Sequence, residues 1–354
     1  MSKVFYKSLG KTQTWPDLFQ INPSSLTYDD VLLLPQISHI NSRSEIDTKV
    51  KFGPYILRSP IIAAPMDTIV GESMARELAR LGGIAALPRE NIEEKIEICK
   101  RMATEDLPCI YTVGLKNGLE DAKALHSSGA KIILVDVAHG GLVKSIELAK
   151  EIKQKLKVFV VTGNIINYDE AMYYKKMKID VAKVGIGPGG TCITRLVAGT
   201  GFPQLAAIFE TTSAGIPVVA DGGIKKPGDF AKAIAAGACT IMVGSIFAGT
   251  DETPGEVING QKITRGQASS TYMKDNGVAE NKFRAAEGIT IKVNVKGPVE
   301  DVVEQLMGGL RSAMSYSGAK SIAEFQKKAV FVKISRATLN ENIPWLESTK
   351  ISHI

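Results

Sequence analysis

Eight short apolar runs, at 61–64, 84–87, 109–113, 132–135, 158–161, 180–184, 217–220 and 240–243, recur along the chain at fairly even intervals. They are rich in aliphatic and β-branched residues with little polar alternation, so both faces of an extended chain must be covered. Helical periodicity follows in the stretches 71–81, 92–102, 119–127, 142–156 and 227–236. A series of strand–helix units implies parallel strands joined by crossovers. Eight such units fit a (β/α)8 TIM barrel better than an open doubly wound sheet. One barrel over residues 1–354 is expected, with 1–24 as an irregular arm packed outside it.

In such a barrel the chemistry sits where strands end. The residues after the runs are 65–67 (PMD), 88–89 (PR), Gly114, 136–139 (DVAH), 162–164 (TGN), 221–223 (DGG) and 244–245 (GS). All are polar, glycine-rich or chemically capable. His139 is read as a turn residue. After the sixth run comes the most pointed of these loops, 183–195 (KVGIGPGGTCITR). Gly185, Gly187, Gly189 and Gly190 permit positive φ and close approach, and Pro188 stiffens the middle. Such a loop offers bare carbonyls and amides to an ion or polar ligand. Cys192 stands in it beside Thr194 and Arg195. A thiol near a cationic group is a candidate nucleophile, weighed against a plain buried cysteine.

Composition narrows the partners. A net charge of +6 is spread among mixed charges, without a basic block, so an anionic small molecule fits better than nucleic acid. Cys99, Cys109, Cys192 and Cys239 lie far apart with no metal-ligand spacing, as reduced thiols of a cytosolic protein would. Residues 1–17 carry no signal-peptide pattern, and no apolar run is long enough to span a membrane.

The 183–195 loop resembles the catalytic loop of the IMP dehydrogenase/GMP reductase family, and the resemblance extends to 26–35 (LTYDDVLLLP), 41–45 (NSRSE), 220–224 (ADGGI), 242–245 (MVGS) and 284–288 (RAAEG). It implies that Cys192 attacks C2 of a purine nucleotide, with Thr194 and Glu287 moving a proton at that carbon. It implies a potassium ion held at Gly187, Gly189, Cys192 and Arg195. Asp221 would hold the ribose, and Gly222, Gly223, Gly244 and Ser245 the 5′-phosphate. Gly266, Gln267, Ala268, Arg284, Ala285, Ala286 and Gly288 would meet the base. Ser42, Arg43, Arg89, Asp136, Val137, Ala138, Gly185 and Ile186 would hold the dinucleotide. The sequence departs from the family at Arg89, which stands for lysine, at Gln267 for methionine and at Pro65 for asparagine.

Within the family, several features favour the reductase branch. Dehydrogenases insert CBS modules after the second barrel unit, whereas only a short link follows residue 102 here. Dehydrogenases also activate water with an Arg-Tyr pair expected near Lys274 and Asp275, and no such dipeptide occurs in 259–296. That segment reads as a mobile active-site flap. The stretches 276–280 (NGVAE) and 310–318 (LRSAMSYSG) also look like reductase sequence. The expectation is NADPH-dependent reductive deamination of GMP to IMP and ammonia, by a cytoplasmic homotetramer without nucleic-acid or membrane partners. A dehydrogenase lacking CBS modules is the alternative, since 27–35, 82–87 and 220–224 suit either enzyme. A non-catalytic nucleotide-binding relative would have lost the thiol, which is present.

Overall fold

The computed structural model describes residues 4–7, 11–14, 26–277 and 285–342. Eight parallel strands close into a barrel: Ile61–Ala63, Ile84–Leu87, Cys109–Val113, Ile132–Asp136, Phe159–Ile165, Val181–Val184, Val218–Asp221 and Thr240–Val243. The eighth pairs back onto the first, Met242 opposite Ile62. This is the (β/α)8 architecture expected from the eight apolar runs.

The two-residue period of the strands sorts their side chains into two layers. Ile62, Ile84, Ala86, Ile110, Ile132, Leu134, Val161, Val181, Val219 and Met242 fill the barrel interior. Their neighbours Ile61, Ala63, Ala85, Leu87, Ile133, Val135, Ala182, Val184 and Ala220 pack outward beneath the helices. A hairpin of Val50–Phe52 and Tyr55–Leu57 seals the amino-terminal mouth. Phe52 and Leu57 join the interior cluster there, and the Phe52 ring meets Phe159, the first residue of the fifth strand, edge-on at 5.4 Å. The opposite mouth is left for ligands.

Helices Glu72–Arg80, Ile92–Thr104, Gly118–Ser127, Val143–Leu156 and Pro227–Ala235 lie where periodicity places them. Only residues 105–108 join Ile92–Thr104 to the third strand, so nothing is inserted at that point. Four expectations need correction. The fifth strand runs on through Thr162, Gly163 and Asn164, read above as a turn, because these polar groups are accommodated at the barrel mouth. Helices Tyr168–Lys176 and Gln204–Ser213 are additional. The second is buried on all sides from Gln204 to Phe209 and therefore shows no polar face to recognise.

The arm at 1–24 is not wholly irregular. Val4–Lys7 pairs with Lys11–Thr14 and runs parallel to Val330–Lys333, which also pairs with Val31–Leu33. The segment 259–296 is likewise more regular than expected. Gln261–Arg265 and Thr290–Asn294 form an antiparallel hairpin, with a short helix, Ser270–Asp275, between them. The inward residues of its first strand are Lys262 and Thr264, so the usual apolar alternation is missing. The Lys262 ammonium donates to the carbonyls of Thr250, Asp251 and Thr253 at 3.0, 3.1 and 2.7 Å.

Candidate active site

At the carboxyl ends of the strands lies a cavity of about 1010 Å³, lined by parts of every loop at that mouth. Its floor is polar and follows from strand parity. Asp136, Lys183 and Asp221 occupy the last interior positions of the fourth, sixth and seventh strands, one step above Leu134, Val181 and Val219. The buried Lys183 ammonium lies 2.9 Å from Asp136 Oδ1 and 2.7 Å from Asp221 Oδ2. Burial works against its charge, but the two carboxylates outweigh burial and hold the ammonium above its ordinary pKa. Asn164 donates to Asp221 Oδ2 at 2.8 Å and to the Gly185 carbonyl at 2.5 Å. Gln204 ties the Val184 and Asp221 carbonyls together at 2.9 and 3.1 Å.

The glycine-rich loop rises above this floor. Cys192 is half-buried, and its thiol donates to Thr194 Oγ1 at 3.2 Å. The Cys192 amide turns back onto the Gly189 carbonyl at 3.1 Å. Glycine at 187 is required twice over. Its φ is +87°, and an added Cβ would stand 2.5 Å from Arg195 Cγ. Arg195 folds under the loop, donating to the carbonyls of Ile186 and Phe202. Its guanidinium is thus engaged by backbone rather than by the thiol.

Backbone bonds fasten this loop to the segment carrying Glu287. Ile193 N donates to Glu287 O at 2.8 Å and Ile289 N to Thr191 O at 2.9 Å, while Cys192 and Gly288 form an isolated bridge. The amides of Glu287 and Gly288 both donate to the Ala268 carbonyl, at 3.0 and 3.2 Å. Cys192, Thr194, Glu287, Gly288, Gly266, Gln267 and Ala268 therefore line one wall. Gln267 reaches across to donate to the Pro65 carbonyl, a bond methionine could not make. Arg89, Asp136, Val137, Ala138, Gly185 and Ile186 also line the cavity. Arg89 pairs with Glu90 at 2.8 Å and lies over the ring of Tyr272, 5.9 Å from its centroid.

Several expected residues lie elsewhere. Gly223, Gly244 and Ser245 do not line the cavity; a Cβ added at Gly223 would meet Pro188 and Tyr28, one at Gly244 would meet Met66, and Ser245 lies against Gly190. Ala285 and Ala286 flank the lining without forming it, and Arg284 lies outside the described residues. Ser42 and Arg43 do not line the cavity. Ser42 caps a 3-10 turn, Arg43–Glu45, whose Glu45 pairs with Lys320 at 2.8 Å. Lys183, Asn164, Gln204, Met66 and Tyr272 had no role assigned from sequence. Lys183 alone offered a signal, as a lysine at an inward position of an apolar strand.

The donor sets suit the expected ligands in kind. The glycine-rich loop offers backbone carbonyls at Gly187, Gly189 and Cys192, the kind of donor that suits a monovalent cation. The Arg195 guanidinium holds the loop's shape, so what Arg195 can offer a cation is its backbone carbonyl. Among the described residues no cluster of His, Cys, Asp or Glu could hold a metal, and no helix is long and apolar enough to cross a membrane. The cavity exceeds what a single nucleotide fills, leaving room for a second ligand along the Arg89–Asp136 side.

A parallel barrel with a thiol loop over a carboxylate floor at the carboxyl ends of its strands has the form of an enzyme active site. Residues 25–345 match the family model described as IMP dehydrogenase / GMP reductase domain. The chain is 35% identical over 378 residues to the inosine-5′-monophosphate dehydrogenase of Cryptosporidium parvum, covering 90% of this chain and 94% of that one. It is 38% identical over 310 residues to the GMP reductase of Ligilactobacillus salivarius (strain UCC118), covering 85% and 94%. A crystal structure of a cysteine-to-alanine variant of GMP reductase from Trypanosoma brucei, in complex with guanosine 5′-monophosphate, superposes with a TM-score of 0.86 at 29% identity, covering 92% of this chain and 98% of that one. The chain belongs to the IMP dehydrogenase/GMP reductase family and is an oxidoreductase of that family.

Proposed function

We propose that this protein is a GMP reductase, converting GMP to IMP and ammonia at the expense of NADPH. The observation that carries the reading is the wall joining Cys192, Thr194 and Glu287, combined with what stands where a dehydrogenase needs its water-activating arginine. Lys274 and Asp275 close the short helix Ser270–Asp275, and Asp275 is paired with Arg265. The arginine and tyrosine that do meet in this segment are Arg265 and Tyr272, with the guanidinium 5.5 Å from the ring centroid. Arg265 is held by Asp67 at 2.6 Å as well as by Asp275, and these bonds raise its pKa further. Tyr272 is buried, which raises its own. Neither is available as a base toward water.

The reductive direction needs no such base. The Cys192 sulfur adds to C2 of the purine. Glu287, through the Thr194 hydroxyl, delivers a proton to the departing amine, which leaves as ammonia. NADPH, when bound, supplies a hydride for C2, after which the carbon–sulfur bond breaks and IMP is released. Asp221 would orient the ribose, and the amides of the 221–223 and 244–245 turns remain the phosphate reading although Gly223, Gly244 and Ser245 do not line the cavity. Arg89, Asp136, Val137, Ala138, Gly185 and Ile186 would hold the dinucleotide, and carbonyls of Gly187, Gly189, Cys192 and Arg195 a potassium ion. Ser42 and Arg43 remain part of the dinucleotide reading although this chain places them away from the cavity. A cytoplasmic homotetramer completes the reading, and sedimentation of the purified protein tests the assembly.

Absorbance at 340 nm tests the reaction. Loss of NADPH with GMP, accompanied by ammonia, is expected, with essentially no XMP from IMP and NAD. XMP formation at a rate comparable to GMP reduction would instead make the chain a dehydrogenase, the branch represented by the Cryptosporidium relative.

A further inference from the structure

The floor of the cavity carries a connection that neither ligand needs by itself. Asp221 belongs to the nucleotide side and Asp136 to the dinucleotide side, yet both bind the same ammonium, at 2.7 and 2.9 Å. Two carboxylates beside one lysine leave this floor with a net negative charge. Lys183 is almost wholly enclosed, with a side-chain exposure of 5%, so these carboxylates are not screened from it by water. Both Asp221 bonds, from Lys183 and Asn164, end on Oδ2, leaving Oδ1 to accept from a ligand hydroxyl.

We propose that Lys183 is a positioning residue that couples the two halves of the site, so that occupation of one half strengthens binding in the other. The inference rests on the functional reading above, which assigns Asp221 to the nucleotide and Asp136 to the dinucleotide. Its physical basis is shared ordering. A ligand hydroxyl donating to Asp136 immobilises that carboxylate and with it the ammonium. Asp221, held from the other side of that ammonium, is then ordered before its own ligand arrives. The second ligand forgoes an ordering cost already met, and linkage makes the benefit reciprocal. No bond is made or broken, and Lys183 touches neither reacting atom.

Calorimetry on the intact protein tests this, using GMP and NADP, a pair that cannot react by hydride transfer. In the wild type, saturating NADP is expected to tighten GMP binding by about fivefold or more, within the usual range of such couplings. Lys183→Met should bring that factor to unity, while Lys183→Arg, which keeps a charged donor between the carboxylates, should retain most of it. A merely structural lysine would lower both affinities and leave the ratio alone. If Lys183→Met does not fold, Asp136→Asn serves instead. It alters the dinucleotide side only, yet should weaken GMP binding in the absence of dinucleotide by about threefold or more, because the ammonium then rests on Asp221 alone. An unchanged factor in Lys183→Met, no coupling in the wild type, or unchanged GMP affinity in Asp136→Asn overturns the proposal. Failure of the wild type to bind either ligand is a different result, and it removes the functional reading itself.

Discussion

The thiol of Cys192 and the hydroxyl of Thr194 face one another at 3.2 Å, with the thiol as donor. Once the sulfur is a thiolate, the direction must reverse, and Thr194 becomes the donor. On the proposed reading, the hydroxyl that orders the thiol is also the one that passes a proton to the departing amine. This economy suits one residue to both tasks.

Removal of the sulfur should therefore separate binding from chemistry. In Cys192→Ala, turnover is expected to fall by more than about 1000-fold, as for other covalent nucleophiles. GMP affinity, measured by calorimetry, should remain near that of the wild type. Substantial residual NADPH consumption would mean that no bond forms at this position.

Glu287→Gln should keep the backbone bond to Ile193 while losing the exchangeable proton. Ammonia release is expected to slow by about 10²- to 10⁴-fold, the usual range for a general acid. Nucleotide binding should persist. Rapid-quench sampling of ammonia would expose an unaltered first step, which would remove Glu287 from the mechanism.

Asp221→Asn removes the negative charge that Lys183 and Asn164 hold in place. A charge-assisted hydrogen bond contributes about 1.5–3 kcal/mol, so the KM for GMP should rise by about 10- to 150-fold. A smaller effect on kcat is expected. Unchanged KM would place the ribose on another group.

The Lys262 cage predicts a stability effect distant from the cavity floor. Lys262→Met leaves the buried carbonyls of Thr250 and Thr253 without their donor, and should cost about 2–4 kcal/mol of unfolding free energy. Urea denaturation reads this directly. An unchanged midpoint would mean that water substitutes for the ammonium.

Lys95 supplies a pH signature. Its ammonium donates to the carbonyls of Pro88 and Thr112 at 2.9 and 2.7 Å, and burial pushes its pKa down to about 8. The unfolded chain, with an ordinary lysine near 10.5, then binds more protons than the folded one between about pH 8 and 10.5. This residue should make the fold more stable as pH rises through that window. Buried Cys109 and Cys239, pushed up to about 12 and 11, work in the opposite sense. The difference between wild type and Lys95→Met cancels those thiols. It should move in the wild type's favour by up to about 3 kcal/mol across the window. A flat difference would contradict the lowered pKa.

The barrel was legible because burial on both faces leaves an unmistakable apolar run, and the observed strands sit on the runs to within a residue except the fifth, which continues to Ile165. That 183–195 and 284–288 would meet was expected from the resemblance alone, since Glu287 is brought to the Cys192 loop by backbone bonds that no local pattern reveals. What escaped detection depended on distant partners. Val4–Lys7 becomes a strand beside Val330–Lys333 at the other end of the chain. Gln204–Ser213 lacks a polar face, and Lys262 fills an inward position with a charge. Arg195, expected beside the thiol, is drawn beneath its own loop because the Ile186 and Phe202 carbonyls lie within reach.

The Ala268 carbonyl receives two amides, from Glu287 and Gly288, and those residues are tied by backbone to Thr191, Cys192 and Ile193. The link between the Cys192 loop and the segment carrying Glu287 is therefore made by peptide groups. Side chains at 267, 268 and 286 can be exchanged without withdrawing any of those peptide bonds. An engineer seeking to admit a differently substituted purine could randomise these three positions together and expect the catalytic registration to survive, provided the glycines at 266 and 288 are kept.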